Sequence, residues 1–546
     1  MRRSNIVRRW CSLPTQSTLH KDVRWRHNVS GLSRSPLRFC SCTTSRLSQA
    51  ANPVTTDTPT PSSAPQQAPP ADHRVLGIAQ ELFTTSSYSP GSPLFLPNGA
   101  HILNKLTSFL RAQYAQYGFR EVVTPNIYKK SLWEISGHWQ NYKDDMYEVS
   151  GRSEKSDNAK NTAAQAAEEE QYGLKPMNCP GHCLLFKSHM HSYRELPIRY
   201  ADFSPLHRNE VSGSLSGLTR VRRFHQDDGH IFCRPQQIRG EIELALKFTD
   251  TVLRTFGLDE YRLVLSTRPE KDFIGSIELW DSAEQQLRDA LDRSGRAWEL
   301  NEGDGAFYGP KIDLQLPDSD GKFHQLSTIQ LDMNLPQRFG LEYVVAEGEQ
   351  DYNPATPGKA TPVLIHRAIF GSLERFFALL IERYNGRWPF WLSPRQGIIL
   401  TVSQNENVLR ATENAVAKMS GFQGLLRNNH TASKGDEVFE PLSSTQTTFR
   451  IDVDDSARSL GKKIREAKQK KYNLIFVLGE KNLVDGSVDV DFSAQTVGKD
   501  EAVMKALVDE LPCWDVTSRP DGGVAKMKMN VDDVYGWLMR LEKRFQ

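Results

Sequence analysis

The chain has 546 residues, 38% of them hydrophobic and 25% charged, and a formal net charge of +2 at pH 7. At roughly 100–200 residues per domain this allows two to four domains, and the small net charge means that any nucleic-acid binding must rest on a local basic face. No apolar run approaches the roughly 18 residues of a membrane span, and seven cysteines over this length do not form a disulfide framework.

The charge is unevenly placed. Residues 1–49 carry ten basic side chains and one acid, Asp22, which leaves 58 basic against 65 acidic side chains in the remainder. An Arg- and Ser-rich, acid-poor start is the composition of a mitochondrial transit peptide, so a matrix location is expected. The next methionine after Met1 is Met146, inside the first domain, so no internal start yields an intact protein without this leader. Cys11, Cys40 and Cys42 belong to the leader; Cys179, Cys183, Cys233 and Cys513 remain. Residues 50–72 are Pro, Ala, Ser and Thr with almost no large apolar side chain, and are predicted to be a flexible linker.

Regular structure is expected from about Val75. Ile102, Leu106, Phe109, Leu110 and Tyr114 recur at helical spacing and predict a helix over 101–117. GFREVVTPNI (118–127) predicts a short strand ended by Pro125. Residues 151–172 are polar and of low complexity, and read as a surface insertion. After Trp391 the texture changes. Strands are expected at 395–403, FRIDVD, NLIFVLGE and VDVDF, with helices at 405–420 and 456–471. That alternation predicts a separate small α/β domain on a mostly parallel sheet.

Two segments carry chemistry. In 207–232 a strand-like start bears Arg208 and Glu210, a Gly/Ser-rich loop follows, and the return is dense in Arg220, Arg222 and Arg223. Arginine forks suit phosphate and Phe224 suits a base, although an exposed basic hairpin fits the same residues. Residues 362–384 read as a buried strand, a Gly-Ser turn and an amphipathic helix with Arg375 in its first turns, where a plain surface arginine is the bland alternative. Cys179, His182 and Cys183 also form a compact cluster whose spacing suggests a metal site.

A strand ending in Pro125, an Arg-x-Glu strand-loop-strand and a Gly-x-x-x-Arg helix resemble, in that order, motifs 1, 2 and 3 of the class II aminoacyl-tRNA synthetases. SGHWQNYKDDMY (136–147), MNCPGH (177–182), FHQDDGHIF (224–232), AFYGPKIDLQ (306–315) and STIQLDMNLP (327–336) resemble the threonine enzymes within that class. The resemblance covers roughly residues 75–546. It implies an α/β and α+β chain, with a class II catalytic domain (73–390, an antiparallel sheet flanked by helices) followed by a small α/β anticodon-binding domain (391–546). The implied reaction is ATP-dependent ligation of L-threonine to tRNA(Thr) through a threonyl-adenylate.

The resemblance implies one zinc per subunit on Cys179, His230 and His366, with Cys183 a small core residue. An open zinc position would take the amino group and hydroxyl of threonine, a distinction from valine that an apolar pocket makes only about a hundredfold. Asp228 would accept the same hydroxyl, Gln226 and Arg208 would meet the carboxylate region, Tyr308 would close the pocket, and Lys311 would lie in it. For ATP, accompanied by Mg²⁺, the implied contacts are Arg208 on the α-phosphate, Arg375 on the γ-phosphate with Arg220, Phe224 and Arg375 sandwiching adenine, Gln330 towards the ribose or the α-phosphate side, and Glu210. His138 would assist transfer to the tRNA. The basic helix 456–471 would meet tRNA through Lys462, Lys463, Arg465 and Lys470, with Leu460, Ile464 and Ala467 on the buried side. Motif 1 implies a homodimer.

Two departures stand out. Arg223 and His225 replace the usual small residue and Thr of motif 2. The long forms of these enzymes carry N-terminal domains, one of them editing, for which leader and linker leave no room here. A prolyl or seryl enzyme would lack the Cys/His/His set, and a non-catalytic paralogue would have lost Arg208, Arg375 or a ligand.

Overall fold

The structure, a computed structural model, describes residues 70–150, 171–271, 273–422, 441–492, 513–518 and 524–545. The expected leader, most of the linker and nearly all of the polar insertion lie outside the described residues.

Helix α1 (His73–Ala79) starts on Asp72, whose carboxylate caps the Arg74 amide. Helix α2 (Pro97–Gln116) begins four residues earlier than its apolar period suggests, because Pro97 already has a helical φ and needs no amide partner in the first turn. The expected strand at 118–127 shrinks to β1 (Arg120–Glu121). The Thr124 amide and hydroxyl bond the Asp202 carboxylate instead of a neighbouring strand, and Pro125 has no amide to offer.

The further elements of the first region follow in order: α3 (Cys179–Lys187), β2 (Ile198–Asp202), β3 (Pro205–His207), β4 (Arg223–His225), β5 (Asp228–Cys233), α4 (Ile238–Thr255), β6 (Arg262–Ser266), α5 (Ile277–Ser294), β7 (Trp298–Asn301), β8 (Lys311–Pro317), β9 (Phe323–Asp332), β10 (Val363–Ala368) and α6 (Leu373–Tyr384). Eight of the strands form one sheet in the order β7-β6-β8-β9-β10-β5-β2-β1. Its inner pairings are antiparallel; only β7 on β6 and β1 on β2 are parallel. Strands β3 and β4 make a separate antiparallel hairpin.

Strand periodicity divides the sheet into two faces. Ile231 and Cys233 of β5, Ile312 and Leu314 of β8, Ile329 and Leu331 of β9, and Val363 and Ile365 of β10 share one apolar core with α2, α4, α5 and α6. Each such fully buried aliphatic side chain contributes about 1.5–3 kcal/mol. The alternate residues of the same strands point the other way, and they carry the site.

The second region has its own core. It comprises β11 (Gly397–Thr401), α7 (Glu406–Ser420), β12 (Ile451–Asp454), α8 (Leu460–Gln469), β13 (Leu474–Leu478), β14 (Ser487–Asp491), β15 (Cys513–Ser518), β16 (Val524–Asn530) and α9 (Val531–Lys543). Its sheet runs β12-β11-β13-β14-β16-β15. Here the expectation of a mostly parallel sheet needs correcting. Only β12, β11 and β13 are parallel; β14, β16 and β15 are added antiparallel. The segment joining β13 to β14 holds little more than the six-residue helix Glu480–Asp485, shorter than the dozen or so residues a parallel crossover requires. The two regions are packed together: Phe545 meets Phe109 edge-on at 5.4 Å and Trp391 at 5.1 Å, and Lys105 pairs with Glu542. Among the described residues no helix is long and apolar enough to cross a membrane.

Candidate functional site

Sheet register assembles the site from segments far apart in sequence. Lys311 lies opposite Gln330, Gln330 opposite His366, and His366 opposite His230, so one row crosses four strands on the face away from the main core. Asp228 precedes His230 by two residues and Asp332 follows Gln330 by two, which keeps both on that face. Helix α3 brings Cys179 over the row. The donor atoms of Cys179, His230 and His366 lie within 4.8 Å of one another, and all three residues are buried.

The donor chemistry of this trio fits a cation. His366 Nε2 is 2.9 Å from Asp332 Oδ2, so Nε2 carries the proton and Nδ1 keeps its lone pair. That Nδ1 faces His230 Nε2 at 2.9 Å. His230 Nδ1 is buried without a hydrogen-bond partner. Burial, aided by Asp228, pushes the Cys179 thiol well up, and burial pushes the His230 imidazole well down. Two facing imidazole nitrogens and a thiol form a three-donor set suited to zinc with a position left open. The local cluster suggested by spacing resolves differently. Cys183 packs with Phe186, Phe232 and Leu364, and His182 stands edge-on to the His230 ring at 4.6 Å.

The trio forms the floor of a cavity of about 480 Å³. Every substrate, ATP and metal residue expected from the sequence lines it: Arg208, Glu210, Arg220, Phe224, Gln226, Asp228, Tyr308, Lys311, Gln330 and Arg375 with the three donors. Tyr308 stacks on His366 with centroids 5.0 Å apart and donates to Gln330 Oε1 at 2.6 Å. Asp228 accepts from Asn178 at 3.1 Å, and burial pushes its carboxyl up. Lys311 is held by Asp313 at 2.5 Å and Asp304 at 3.2 Å.

At the other end of the cavity the Arg208 guanidinium lies over the Phe224 ring at 5.0 Å. Arg220 pairs with Glu210 at 2.8 Å. Ser372 caps α6, and Gly371 before it takes φ +64 where an added Cβ would strike the Leu326 carbonyl at 2.2 Å. This tight turn aims Arg375 into the cavity, and its Nε and Nη1 donate to the carbonyls of Thr219 at 2.9 Å and Gln325 at 2.7 Å.

His138 is placed differently from its expected role. It is fully buried and does not line the cavity. Its Nδ1 meets Ser136 Oγ at 2.8 Å, its Nε2 meets Met177 Sδ at 3.2 Å and lies 3.9 Å from Cys179 Sγ. Burial pushes its pKa down to about 3, so the imidazole is neutral. So placed, it supports Met177 and Cys179 from behind. Sequence reasoning also passed over Asp332 and Glu374. Asp332 was legible, since a two-residue step from Gln330 keeps it on the same strand face. Glu374 explains one departure in motif 2: its carboxylate, fully buried, accepts from the His225 amide at 2.8 Å and lies 2.8 Å from Nδ1 of the same residue.

The description "tRNA synthetase class II core domain (G, H, P, S and T)" matches residues 162–384, and "Anticodon binding domain" matches 398–513. Over 409 residues the chain is 50% identical to a probable mitochondrial threonine–tRNA ligase of Schizosaccharomyces pombe, covering 75% of this chain and 81% of that relative. The chain belongs to the threonine–tRNA ligase family. It is also 47% identical over 426 residues to human cytoplasmic threonine–tRNA ligase 1, spanning 78% of this chain and about half, 52%, of that relative. Among solved structures, the RNA binding domain of a threonyl-tRNA synthetase from Cryptosporidium parvum aligns at 41% identity and TM-score 0.65, covering 80% of this chain and 97% of that one. A prolyl-tRNA synthetase from the same organism, at 14% identity and TM-score 0.53, shares the fold.

In the region matched to the family's anticodon-binding domain, α8 is shorter than expected and one of its cations is not available. Lys462, Arg465 and Lys470 are exposed. Lys463 is 2% exposed and donates to the Thr401 carbonyl at 2.9 Å, the Thr401 hydroxyl at 3.2 Å and the Asp454 carbonyl at 3.1 Å. It falls on the same face as Leu460, Ile464 and Ala467 and buries its stem among them, so Lys463 is a structural residue and the basic face consists of its neighbours.

Proposed function

We propose that this chain activates L-threonine with ATP and transfers it to tRNA(Thr), in mitochondria and as a homodimer. The single observation that carries the reading is the Cys179/His230/His366 trio at one end of a cavity whose other end is lined by Arg208, Arg220 and Arg375. A site with a soft-metal set beside an arginine cluster suits a small ligand with lone-pair donors joined to a polyphosphate.

Cys179, His230 and His366 would hold zinc, which when bound supplies a Lewis acid that favours an amino acid carrying a hydroxyl over the isosteric valine. Asp228 accepts the substrate's hydroxyl proton, and Gln226 and Arg208 hold its carboxylate. The carboxylate then attacks the α-phosphorus of ATP, the bond to the β-phosphate oxygen breaks, and pyrophosphate leaves. Arg208 lies where it can meet charge growing on the α-phosphate, and Arg220 and Arg375 where they can hold the β and γ groups, with Mg²⁺ accompanying the nucleotide. In the second step a terminal ribose hydroxyl of the tRNA attacks the mixed anhydride and AMP departs. The exposed cations of α8 support tRNA binding by residues 391–546, and exposed Val123 and Ile127 beside β1 support a dimer contact there. The basic leader and the mitochondrial relatives support the location.

The test is an amino-acid-dependent ATP–pyrophosphate exchange panel on the purified chain, with metal analysis of the same sample. Threonine-driven exchange with one zinc per chain is expected. Exchange driven by proline in a zinc-free protein would overturn the assignment.

A further inference from the structure

Helix α1 touches the nucleotide end of the cavity without lining it. His73, at its first turn, is buried. The Leu218 amide donates to His73 Nε2 at 3.2 Å, and His73 Nδ1 is 2.7 Å from Glu382 Oε1. Because Nε2 accepts, the proton sits on Nδ1 and is donated to Glu382. Asp72, His73 and Glu382 offer donor atoms within 4.8 Å of one another, but both imidazole nitrogens are already used, so this set has no free imidazole lone pair for a cation. Glu382 is in the last turn of α6, and its other oxygen accepts from the Ser319 amide at 3.1 Å. The segment is fastened again where Ser319 Oγ donates to the Ala71 carbonyl at 2.6 Å.

What His73 grips is the tip of the loop between β3 and β4. Leu218 is fully buried, and Gly217 has φ +47 with an added Cβ only 2.1 Å from His73 Nε2. The next residue, Thr219, supplies the carbonyl that holds Arg375 Nε, and Arg220 bridges back to Ser216. One imidazole therefore ties the α6 end to the loop that places both phosphate-facing arginines.

We propose that His73 is a positioning residue for the nucleotide: its neutral imidazole pins Leu218, fixes the loop tip, and thereby sets Arg220 and Arg375 for the triphosphate. The proposal rests on the ATP-binding reading of the cavity. It predicts an effect on ATP with none on threonine, whose expected contacts, apart from the shared Arg208, are not held by the loop tip that His73 pins.

Threonine-dependent exchange by the full chain tests it. His73→Ala should raise the ATP KM about tenfold, the size of one lost buried hydrogen bond with its orphaned partner, and leave the threonine KM unchanged. His73→Gln, which keeps an acceptor within reach of the Leu218 amide, should restore most of the loss. Gly217→Ala should reproduce it with the imidazole intact. Gln80, at the other end of α1, bonds the Gly386 carbonyl and Trp388, so Gln80→Ala should lower the melting temperature without changing the ATP KM. A parallel rise in both KM values, or an unchanged ATP KM in folded His73→Ala and Gly217→Ala, overturns the proposal. If the wild-type chain binds ATP by calorimetry but gives no threonine-dependent exchange, the proposed function fails instead. Calorimetric ATP titration of the wild type and His73→Ala then decides the role of His73 by the same tenfold criterion.

Discussion

Replacing Asp332 by asparagine separates the support of the proposed metal site from its proposed ligands. Asp332 is completely buried. One carboxylate oxygen accepts from the Asn334 amide at 2.7 Å and the Leu335 amide at 3.0 Å, and the other accepts from His366 Nε2. Asparagine keeps an oxygen for the two amides, so the turn into the Leu335–Arg338 helix survives. It turns an NH₂ towards His366. Two donors then face each other unless the imidazole moves its proton to Nδ1, the atom that faces His230. Either outcome removes a metal-ready lone pair or its support. Loss of such an outer partner lowers metal affinity by about 10- to 100-fold, or about 1.4–2.8 kcal/mol. The assay is zinc competition against a chromogenic chelator, with metal content measured after gel filtration and a melting curve on the same sample. Asp332→Asn that keeps its fold and holds zinc as tightly as the wild type would refute the argument.

Three further outcomes are expected. Lys463→Met should destabilise the C-terminal region by about 1–3 kcal/mol, since it leaves the Thr401 and Asp454 carbonyls short of a donor; Lys462→Ala, Arg465→Ala and Lys470→Ala should leave the melting temperature alone and weaken tRNA binding more at low salt than at high. Burial pushes the Asp227 carboxyl up from 3.8 to about 6, although the Ile369 and Phe370 amides and the Tyr114 hydroxyl all donate to it. The folded state then binds this proton more tightly than the unfolded one, so its contribution is present below about pH 4 and is lost as pH rises through about 6; denaturation of Asp227→Asn across that window should be flatter than wild type by about 3 kcal/mol at most. Serine carries a hydroxyl, so serine-dependent exchange should be measurable at high serine while valine gives none, and a chain inert to serine would contradict the proposed means of selection.

The site residues were assigned by the family resemblance, and spacing along single strands agrees with them. Two-residue steps on β5 and β9 put Asp228 with His230 and Gln330 with Asp332, and the apolar partners at Ile231, Ile329 and Ile365 marked the opposite face. The register between strands was not legible: nothing in the chain's local pattern announces that His366 lies opposite both His230 and Gln330. Spacing alone would have favoured the local cluster, which the resemblance set aside. Cys179, His182 and Cys183 share one helix and both cysteines border the same apolar cluster, yet only Cys179 brings its sulfur within reach of the His230 and His366 nitrogens. Lys463 was misread although its signal was present. Positions 460, 463, 464 and 467 share one helical face, and a basic residue there must either unfold the face or find acceptors beneath it. The mixed sheet of the second region was decided by connection length, which strand and helix patterns alone do not reveal.

Under the proposed function, the arginines at one end of the cavity would favour a polyanion there. Three of the guanidinium groups lining the cavity, those of Arg208, Arg220 and Arg375, belong to that end, with Glu210 the one carboxylate lining it among the described residues. Burial, then the charges of Arg208 and Arg220, pushes the Arg375 guanidinium down from its usual value, with Glu210 opposing. Each arginine is held meanwhile by a contact of its own: Arg208 over Phe224, Arg220 on Glu210, Arg375 on two main-chain carbonyls. These contacts differ in how readily they yield. A half-exposed ion pair such as Arg220–Glu210 is worth at most about 1 kcal/mol, so Arg220 can leave it for a phosphate. The two carbonyls engage only Nε and Nη1 of Arg375, leaving Nη2 to the ligand while the side chain stays fixed. Like charges held in place before the ligand arrives are relieved by a triphosphate, and the same mutual repulsion disfavours an uncharged occupant. Under the proposed function, selection at the two ends would have different physical origins: soft-donor coordination for the amino acid, and relief of fixed positive charge for the nucleotide.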